Sequence, residues 1–302
     1  MKEAISTGKK AGGVWCSKHF FYHLEEKHDE LLVKLVRCLD DYKLTGDIEK
    51  YFFIRYWEGG PHLRLRYQLT ETGNHKHLDS ELEQVAYTFW EQFPTTNQLS
   101  QERYNTIFAE VPDSDSSMEK QLYPSEKIVD IPYHPEVERY GSGELMELSE
   151  QLFEQSSYIA VDIIWRVTGQ TSSSRRLILC CGLLVELEAI LLKSYLPEKR
   201  QLHTYTISYW EKSGISVDTK LLNFLKKNEV GILSTAHQLK KMYAKELREI
   251  YKLVDKITEL CPSRDFYFGV ASSHMRMTSN RLGIFPYYEV CCLQFLLERE
   301  RS

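Results

Sequence analysis

Three short segments of the chain carry residue types that serve in acid–base chemistry and anion binding. The first, residues 62–66, reads HLRLR. In an extended strand this alternation places His62, Arg64 and Arg66 on one face, about 7 Å apart along the strand. Because neighbouring basic groups repel one another, such a face requires carboxylates from elsewhere in the fold or an anionic ligand. A solvated face with salt bridges is the other interpretation, and the pattern leaves both open.

The second segment, residues 133–141, reads YHPEVERYG, and its proline and terminal glycine bracket a short turn. Glu136 and Arg139 are three residues apart, so a single helical turn would bring their side chains together. Glu136 could orient Arg139 or act as a base. An ion pair that only caps the start of a helix would give the same pattern.

The third segment contains His274 within SSHM, followed by Asn280 and Arg281 within SNRLG. A histidine can give or accept a proton near neutral pH, which makes His274 a candidate acid or base. A single histidine on a helix is more often a packed or surface residue, and the pattern alone does not decide between these roles.

The elements that must position these segments predict an α+β fold, in which a small mixed or antiparallel sheet with an N-terminal hairpin is packed by many helices. Alternation predicts strands at 51–57 and 62–69 around a turn at 58–61, and a short strand at 128–131. Helical periodicity predicts helices at 24–42, 78–93, 144–168, 173–195, 217–228, 233–259, 265–281 and 286–299. We expect a loop or mobile excursion at 112–126 and a strand or loop at 197–214. Residues 1–13 are expected to form a flexible tail, and 14–302 a single domain.

Composition excludes several classes of function. The 302 residues carry a net charge of −5, which gives no indication of direct nucleic-acid binding. The seven cysteines form no CxxC pair, so we expect reduced thiols and no metal site. The sequence contains no nucleotide, redox or metalloprotease motif, so we expect no cofactor. It also contains no signal peptide or membrane span, and a cytoplasmic location is expected.

Taken together, FFIRYWEGGPHLRLRY, YHPEVERYGSGE and SSHMRMTSNRLG resemble the thiopeptide-type bacteriocin biosynthesis domain. This domain forms the C-terminal elimination (lyase) half of class I lantibiotic dehydratases and also occurs in stand-alone form. The resemblance extends from about Trp15 to the C-terminus. It implies that a glutamylation protein esterifies Ser or Thr of a ribosomally made precursor peptide with glutamate from glutamyl-tRNA. The elimination domain then expels glutamate and leaves dehydroalanine or dehydrobutyrine.

The resemblance also implies roles for individual residues. Those at catalytic motif positions are Arg64, Arg66, Glu136, Arg139 and His274, and the neighbouring substrate-binding candidates are Arg55, Tyr56, His62, Asn280 and Arg281. The sequence departs from the family at Ser142, where a second glycine often follows ERYG. We expect an extended peptide to bind in a groove beside the hairpin, with Arg64 and Arg66 pointing into it.

The family also divides in function, and two alternatives remain beside glutamate elimination. Some stand-alone members catalyse an aza-[4+2] cycloaddition of two dehydroalanines, which forms a pyridine and releases the leader peptide, and they lack the full set of lyase residues. Here those positions are filled, which favours elimination. A non-catalytic module that binds the precursor peptide is the third interpretation. For elimination, we expect a separate glutamylation protein as the partner.

Overall fold

A four-stranded antiparallel sheet forms the N-terminal part of the fold. A computed structural model describes residues 13–71, 73, 75–109, 121–168, 173–195 and 198–299. The strands are β1 (Trp15–Phe21), β2 (Ile48–Tyr56), β3 (His62–Leu69) and β4 (Lys127–Asp130), in the order β2-β3-β1-β4. The predicted hairpin is β2–β3. Apart from Gly13, the predicted N-terminal tail lies outside the described residues, as do residues 112–120 of the predicted loop.

Helices account for most of the remaining described residues, which confirms the predicted α+β class. A 3-10 turn at Glu25–Lys27 precedes the first of them. They are α1 (His28–Thr45), α2 (His75–Gln92), α3 (Gln101–Ala109), α4 (Val137–Tyr140), α5 (Glu144–Val167), α6 (Ser173–Leu191), α7 (Lys199–Lys212), α8 (Thr219–Lys227), α9 (Glu229–Met242), α10 (Ala244–Leu260), α11 (Arg264–Arg281) and α12 (Pro286–Arg299). Among the described ranges, no helix is long and apolar enough to cross a membrane.

Strand β1 and helix α3 were not predicted, and two predicted segments have a different structure. The segment 197–214, predicted as strand or loop, contains α7, and the buried positions 202, 203, 206 and 207 follow helical spacing. This helix packs against α12, so tertiary packing outweighs the β propensity of its tyrosines and threonines. The predicted helix at 233–259 is two helices, α9 and α10, with a break at Tyr243.

The two faces of the sheet have different environments. Leu63, Leu65 and Tyr67 of β3 are fully buried on the face that packs against α1 and α2. On the same face, Lys18 of β1 donates hydrogen bonds to Glu83 of α2 (2.9 Å) and Asp130 of β4 (2.8 Å). The opposite face carries the even-numbered residues of β3, including the two arginines of HLRLR, as the alternation predicts.

Side chains of α5 and α11 close the outer edge of β2. The backbone N–H groups of Tyr51 and Phe53 donate to Glu154 Oε1 and Ser157 Oγ, both at 3.3 Å. At the end of the strand, Asn280 of α11 pairs with the Arg55 backbone in both directions, at 2.9 and 2.8 Å. An unpaired strand edge would leave these backbone groups without partners, so the closure fixes both helices against the hairpin. It also brings the C-terminal end of α11 next to the sheet.

Candidate active site

The basic face of β3 is buried rather than solvated. His62 is 0% exposed and Arg66 9%, while the Arg64 side chain is 16% exposed. Antiparallel pairing sets His19 of β1 opposite Arg64 and Phe52 of β2 opposite Arg66. We call these buried basic residues, His19, His62, Arg64 and Arg66, the cationic face. Its burial excludes the solvated strand that the sequence pattern left open, while the peptide groove expected beside the hairpin stays a prediction.

His62 fixes the orientation of Arg64. The His62 Nδ1 lies 2.7 Å from the Gly60 carbonyl oxygen, which can only accept, so Nδ1 carries the hydrogen. His62 Nε2 is then free to accept a hydrogen bond from Arg64 Nε at 3.0 Å. Burial lowers the pKa of His62 to about 3, so the ring is neutral at physiological pH and can keep this acceptor role.

Two further groups hold the Arg64 guanidinium. The ring of Tyr56 lies 3.5 Å from the guanidinium carbon, a cation–π contact, and Glu58 Oε2 lies 3.9 Å from Nη2. Burial lowers the pKa of Arg64 to about 10. The group therefore stays charged at neutral pH, and its terminal nitrogens form a fixed donor fork.

Aromatic rings, and no carboxylate among the described residues, surround Arg66. Its guanidinium carbon lies 4.6 Å from the Tyr133 ring centre and 5.5 Å from that of Phe52. Within the described part of the chain, Arg66 Nε has no hydrogen-bond partner. Burial lowers the pKa of Arg66. The Tyr133 hydroxyl donates to Glu150 at 3.1 Å, which anchors the ring against the arginine.

Arg281, at the end of α11, is a second buried arginine without a carboxylate partner among the described residues. It is 1% exposed; its Nε donates to Ser157 Oγ at 2.9 Å, and its guanidinium carbon lies 5.4 Å from the Phe153 ring centre. Nη1 has no hydrogen-bond partner within the described ranges. Burial first, and the charge of Arg66 to a smaller extent, lower the pKa of Arg281 to about 10, so the two guanidinium groups are within electrostatic range.

His274 is a buried residue of α11, close enough to Arg281 to be affected by its charge. It is 2% exposed and sits between the rings of Tyr140 and Phe153, at centroid distances of 5.2 and 5.3 Å. Neither ring nitrogen has a hydrogen-bond partner among the described residues. Burial first, and the charge of Arg281 second, lower the pKa of His274 to about 3. The imidazole is therefore neutral at physiological pH.

The short helix α4 adds a carboxylate–arginine pair at the edge of the site. Glu136 Oε2 lies 2.9 Å from Arg139 Nη1, which confirms the predicted one-turn spacing, and both side chains are more than 40% exposed. The charge of Glu136 raises the pKa values of Arg64 and Arg66, although their burial lowers them more. Glu136 is therefore within electrostatic range of the cationic face. The fold thus brings the hairpin, α4 and α11 together.

This arrangement suits an anionic ligand. Buried charges are costly unless they are paired, and a guanidinium offers a two-pronged fork that matches a carboxylate. Low dielectric around Arg66 and Arg281 strengthens their interaction with any anion that reaches them. Among the described residues, no group of three or more His, Cys, Asp or Glu side chains is arranged to hold a metal ion.

Comparison with known proteins identifies the family of this chain. The family model described as "Lantibiotic biosynthesis dehydratase C-term" matches residues 15–299, which include all three segments. The chain belongs to this lantibiotic dehydratase C-terminal family. Among curated protein sequences, none is similar enough to count as a relative.

Two solved structures share the fold of this lantibiotic dehydratase C-terminal protein. One is the pyridine synthase TbtD from thiomuracin biosynthesis, with a TM-score of 0.70, 14% identity, and coverage of 94% of this chain and 97% of that chain. The other is the tRNA-dependent lantibiotic dehydratase MibB from Microbispora sp. 107891, with a TM-score of 0.58 and 16% identity. The match covers 99% of this chain but 29% of MibB. At these identities the likeness shows the fold alone.

Two of the predicted substrate-binding residues of this family member, Arg55 and Asn280, hold the fold together and do not line the candidate site. Arg55 points to the other side of the sheet, where its Nη2 lies 2.5 Å from Asp29 Oδ1 of α1, and its Nε donates to the Arg281 carbonyl oxygen at 3.2 Å. Asn280 pairs with the Arg55 backbone. Their contacts fix α11 to β2 and thereby set the position of Arg281.

Sequence reasoning missed four residues that shape the site of this lantibiotic dehydratase C-terminal protein: His19, Tyr133, Tyr140 and Phe153. The His19 ring stacks on His62 at 5.1 Å, and burial lowers its pKa to about 2. The two tyrosines belong to the YHPEVERYG segment, so their presence in it was the available signal. Phe153 lies on α5 and carries no sequence signal of its own.

Proposed function

We propose that this chain eliminates glutamate from glutamylated Ser or Thr residues of a ribosomally made precursor peptide. The observation that carries the proposal is the pair of buried guanidinium groups, Arg66 and Arg281, each of which has a nitrogen without a hydrogen-bond partner among the described residues. The leaving group of this elimination is itself a carboxylate, and glutamate brings a second one on the same molecule. A buried anion site beside a neutral histidine matches that chemistry.

The elimination breaks two bonds and forms two, the second bond between Cα and Cβ and the bond between the proton and its acceptor. The Cα proton leaves, the bond between Cβ and the ester oxygen breaks, and Cα and Cβ become doubly bonded. Negative charge develops on the neighbouring carbonyl oxygen, and the fixed fork of Arg64 is the group best oriented to stabilise it. Arg66 and Arg281 receive the departing carboxylate.

His274 or Glu136 accepts the Cα proton. His274 is neutral, so its ring nitrogen without a hydrogen can take up this proton. A carboxylate bound to Arg281 would offset the charge that lowers the pKa of His274, and would therefore make the imidazole a better base. The free carboxylate of the glutamyl group is charged before the ester bond breaks, so its binding to Arg281 would prepare the proton acceptor.

Pyridine formation by cycloaddition is the second candidate, and the fold match to TbtD over nearly the full length of both chains favours it. That reaction joins two dehydroalanines, which carry no carboxylate. It would leave the charges of Arg66 and Arg281 without an anionic partner from the reacting groups. The buried cationic site therefore favours elimination.

The remaining parts of the proposal concern the setting. A glutamylation protein that uses glutamyl-tRNA would supply the ester; MibB, in which the similar fold is 29% of the chain, is described as a tRNA-dependent dehydratase. We propose that the glutamylation protein and the precursor peptide are the partners, that the reaction takes place in the cytoplasm, and that it needs no metal or cofactor.

The test uses the purified protein and a synthetic peptide with one glutamyl serine. Free glutamate and peptide mass are followed with time, with and without a chelator. We expect one glutamate per ester in both cases. His274→Ala should slow release about 100- to 10,000-fold with little change in peptide affinity. Arg139→Lys should also slow it, because lysine keeps the charge but loses the fork.

His77→Ala, on a side chain that is 70% exposed in α2, serves as the surface control and should leave the rate unchanged. A second substrate with two dehydroalanines in place of the ester tests the rival reaction. Pyridine formation with leader release, and no glutamate from the ester, would refute elimination. Binding of both peptides without any reaction would point to a non-catalytic module.

A further inference from the structure

A surface groove lies beside α4, between this helix, the start of α5 and the start of α11. Its volume is about 420 Å³, and apolar side chains from three elements line it: Val137 of α4, Leu145 of α5, and Pro262 and Phe266 at the start of α11. Val137 is 45% exposed. The groove is large enough for one or two side chains of a ligand.

The turn between α4 and α5 is built to form this groove. Gly141 has a φ of +86°, and a Cβ placed there would lie 2.7 Å from Leu145 Cδ1. Only glycine therefore lets Leu145 approach the turn and form part of the groove wall. Ser142, the position at which the sequence departs from its family, follows directly and lies on the rim.

One short helix, α4, borders both the groove and the candidate active site. This helix is four residues long, so it spans about 6 Å. Glu136 and Arg139 pair near the cationic face, while Val137 and Glu138 border the groove. An extended peptide advances about 3.3 Å per residue, so a side chain two or three positions from the reacting residue would reach the groove.

We propose that this groove binds an apolar side chain of the precursor peptide, two or three residues from the glutamylated Ser or Thr. The inference rests on the proposed function and names a specificity subsite for it. The occupant is a peptide side chain because the groove is apolar and adjoins the site along one short helix. Contact with Val137, Leu145 and Phe266 gives a large aliphatic or aromatic residue more buried area than alanine.

The test is a panel of synthetic glutamyl-serine peptides in which leucine replaces alanine at one position at a time, up to three residues on either side. The readout is kcat/KM for glutamate release. At a single position, we expect leucine to be favoured over alanine about 10-fold or more. Val137→Lys should reduce that leucine-to-alanine ratio to about 1, and Ser142→Trp, which fills the groove from its rim, should do the same. Val230→Lys, on an 84% exposed valine of α9, is the matched control and should keep the full ratio.

A second readout separates this inference from the proposed function. Fluorescently labelled peptides with an amide in place of the ester cannot release glutamate, and their affinity is measured by anisotropy. Release of glutamate without any leucine preference, or a preference that survives both groove variants, would overturn the subsite and leave the function intact. No release from any peptide, with the leucine preference retained in binding, would overturn the function and leave the subsite. A dimer in light scattering that Val137→Lys dissociates would show a second copy in the groove and overturn the subsite.

Discussion

Replacement of Arg281 by methionine should leave the protein at least as stable while it abolishes elimination. Arg281 is fully buried, and its pKa falls from 12.5 to about 10. A pKa difference of one corresponds to about 1.4 kcal/mol, so the folded state carries a destabilisation of about 3 kcal/mol from this charge. Because the folded pKa is lowered, this destabilisation is present at all pH values below about 10, including pH 7, and is relieved only above that pH.

Methionine has a similar length and keeps the contact with Phe153, but it loses the hydrogen bond to Ser157. That loss costs about 1.5 to 3 kcal/mol. The free energy of unfolding at pH 7 should therefore rise slightly, by up to about 1.5 kcal/mol, or stay unchanged. The pKa of His274 should rise as well, because the charge of Arg281 is one of its two causes. Glutamate release should fall below detection.

Arg55→Met is the matched comparison, because Arg55 is also buried but lies 2.5 Å from Asp29. Removing one partner of a buried ion pair typically costs about 3 to 5 kcal/mol, and Asp29 keeps Arg176, so a loss near 3 is expected. Urea unfolding of both variants at pH 7, followed by fluorescence, measures the difference. If Arg281→Met loses more than about 2 kcal/mol, its charge is balanced within the folded protein and the anion-site argument fails.

Three further predictions follow from the site. Its three buried histidines have lowered pKa values, so below about pH 6.5 the unfolded chain binds more protons than the folded chain. As the pH falls from 7.5 to 5, each histidine should therefore lower the free energy of unfolding by about 2 kcal/mol. His274→Gln should reduce that loss, as measured by urea unfolding at the two pH values. Gly141→Ala should lower stability by about 1 to 3 kcal/mol in thermal unfolding, and more than Gly46→Ala, which meets no neighbouring atom. Tyr56→Leu removes the ring that holds Arg64, so kcat/KM should fall about 3- to 30-fold with unchanged melting temperature; an unchanged kcat/KM would show that the ring is dispensable.

The hairpin and most helices were predictable because their patterns are local. The turn at 58–61 and the two-residue alternation of HLRLR fix β2 and β3, and apolar spacing fixes helices such as α5 and α12. Strand β1 was not predicted. It lies inside the sheet with polar residues on both faces, Lys18 on one and His19 on the other, so it shows no alternation between apolar and polar residues.

The site was predictable only in part, because its members meet through contacts that sequence spacing does not express. Asn280 bonds to a residue 225 positions away, and that contact places Arg281 beside the hairpin. The resemblance supplied the residues of the three segments. It gave no indication that the cationic face is buried, and alternation alone fits a solvated strand equally well.

Two buried arginines, Arg55 and Arg281, have different surroundings, and these surroundings determine whether the guanidinium group can bind a ligand. Arg55 and Arg281 are both buried near the junction of β2 and α11, and the side chain of the first even donates to the backbone of the second. Asp29 balances the charge of Arg55, which makes it a structural ion pair. No carboxylate among the described residues does this for Arg281, and Arg66, a further positive charge, lies within its electrostatic range. Burial of two like charges is unfavourable unless an anion joins them, and this electrostatic demand is the basis for proposing a carboxylate-bearing substrate.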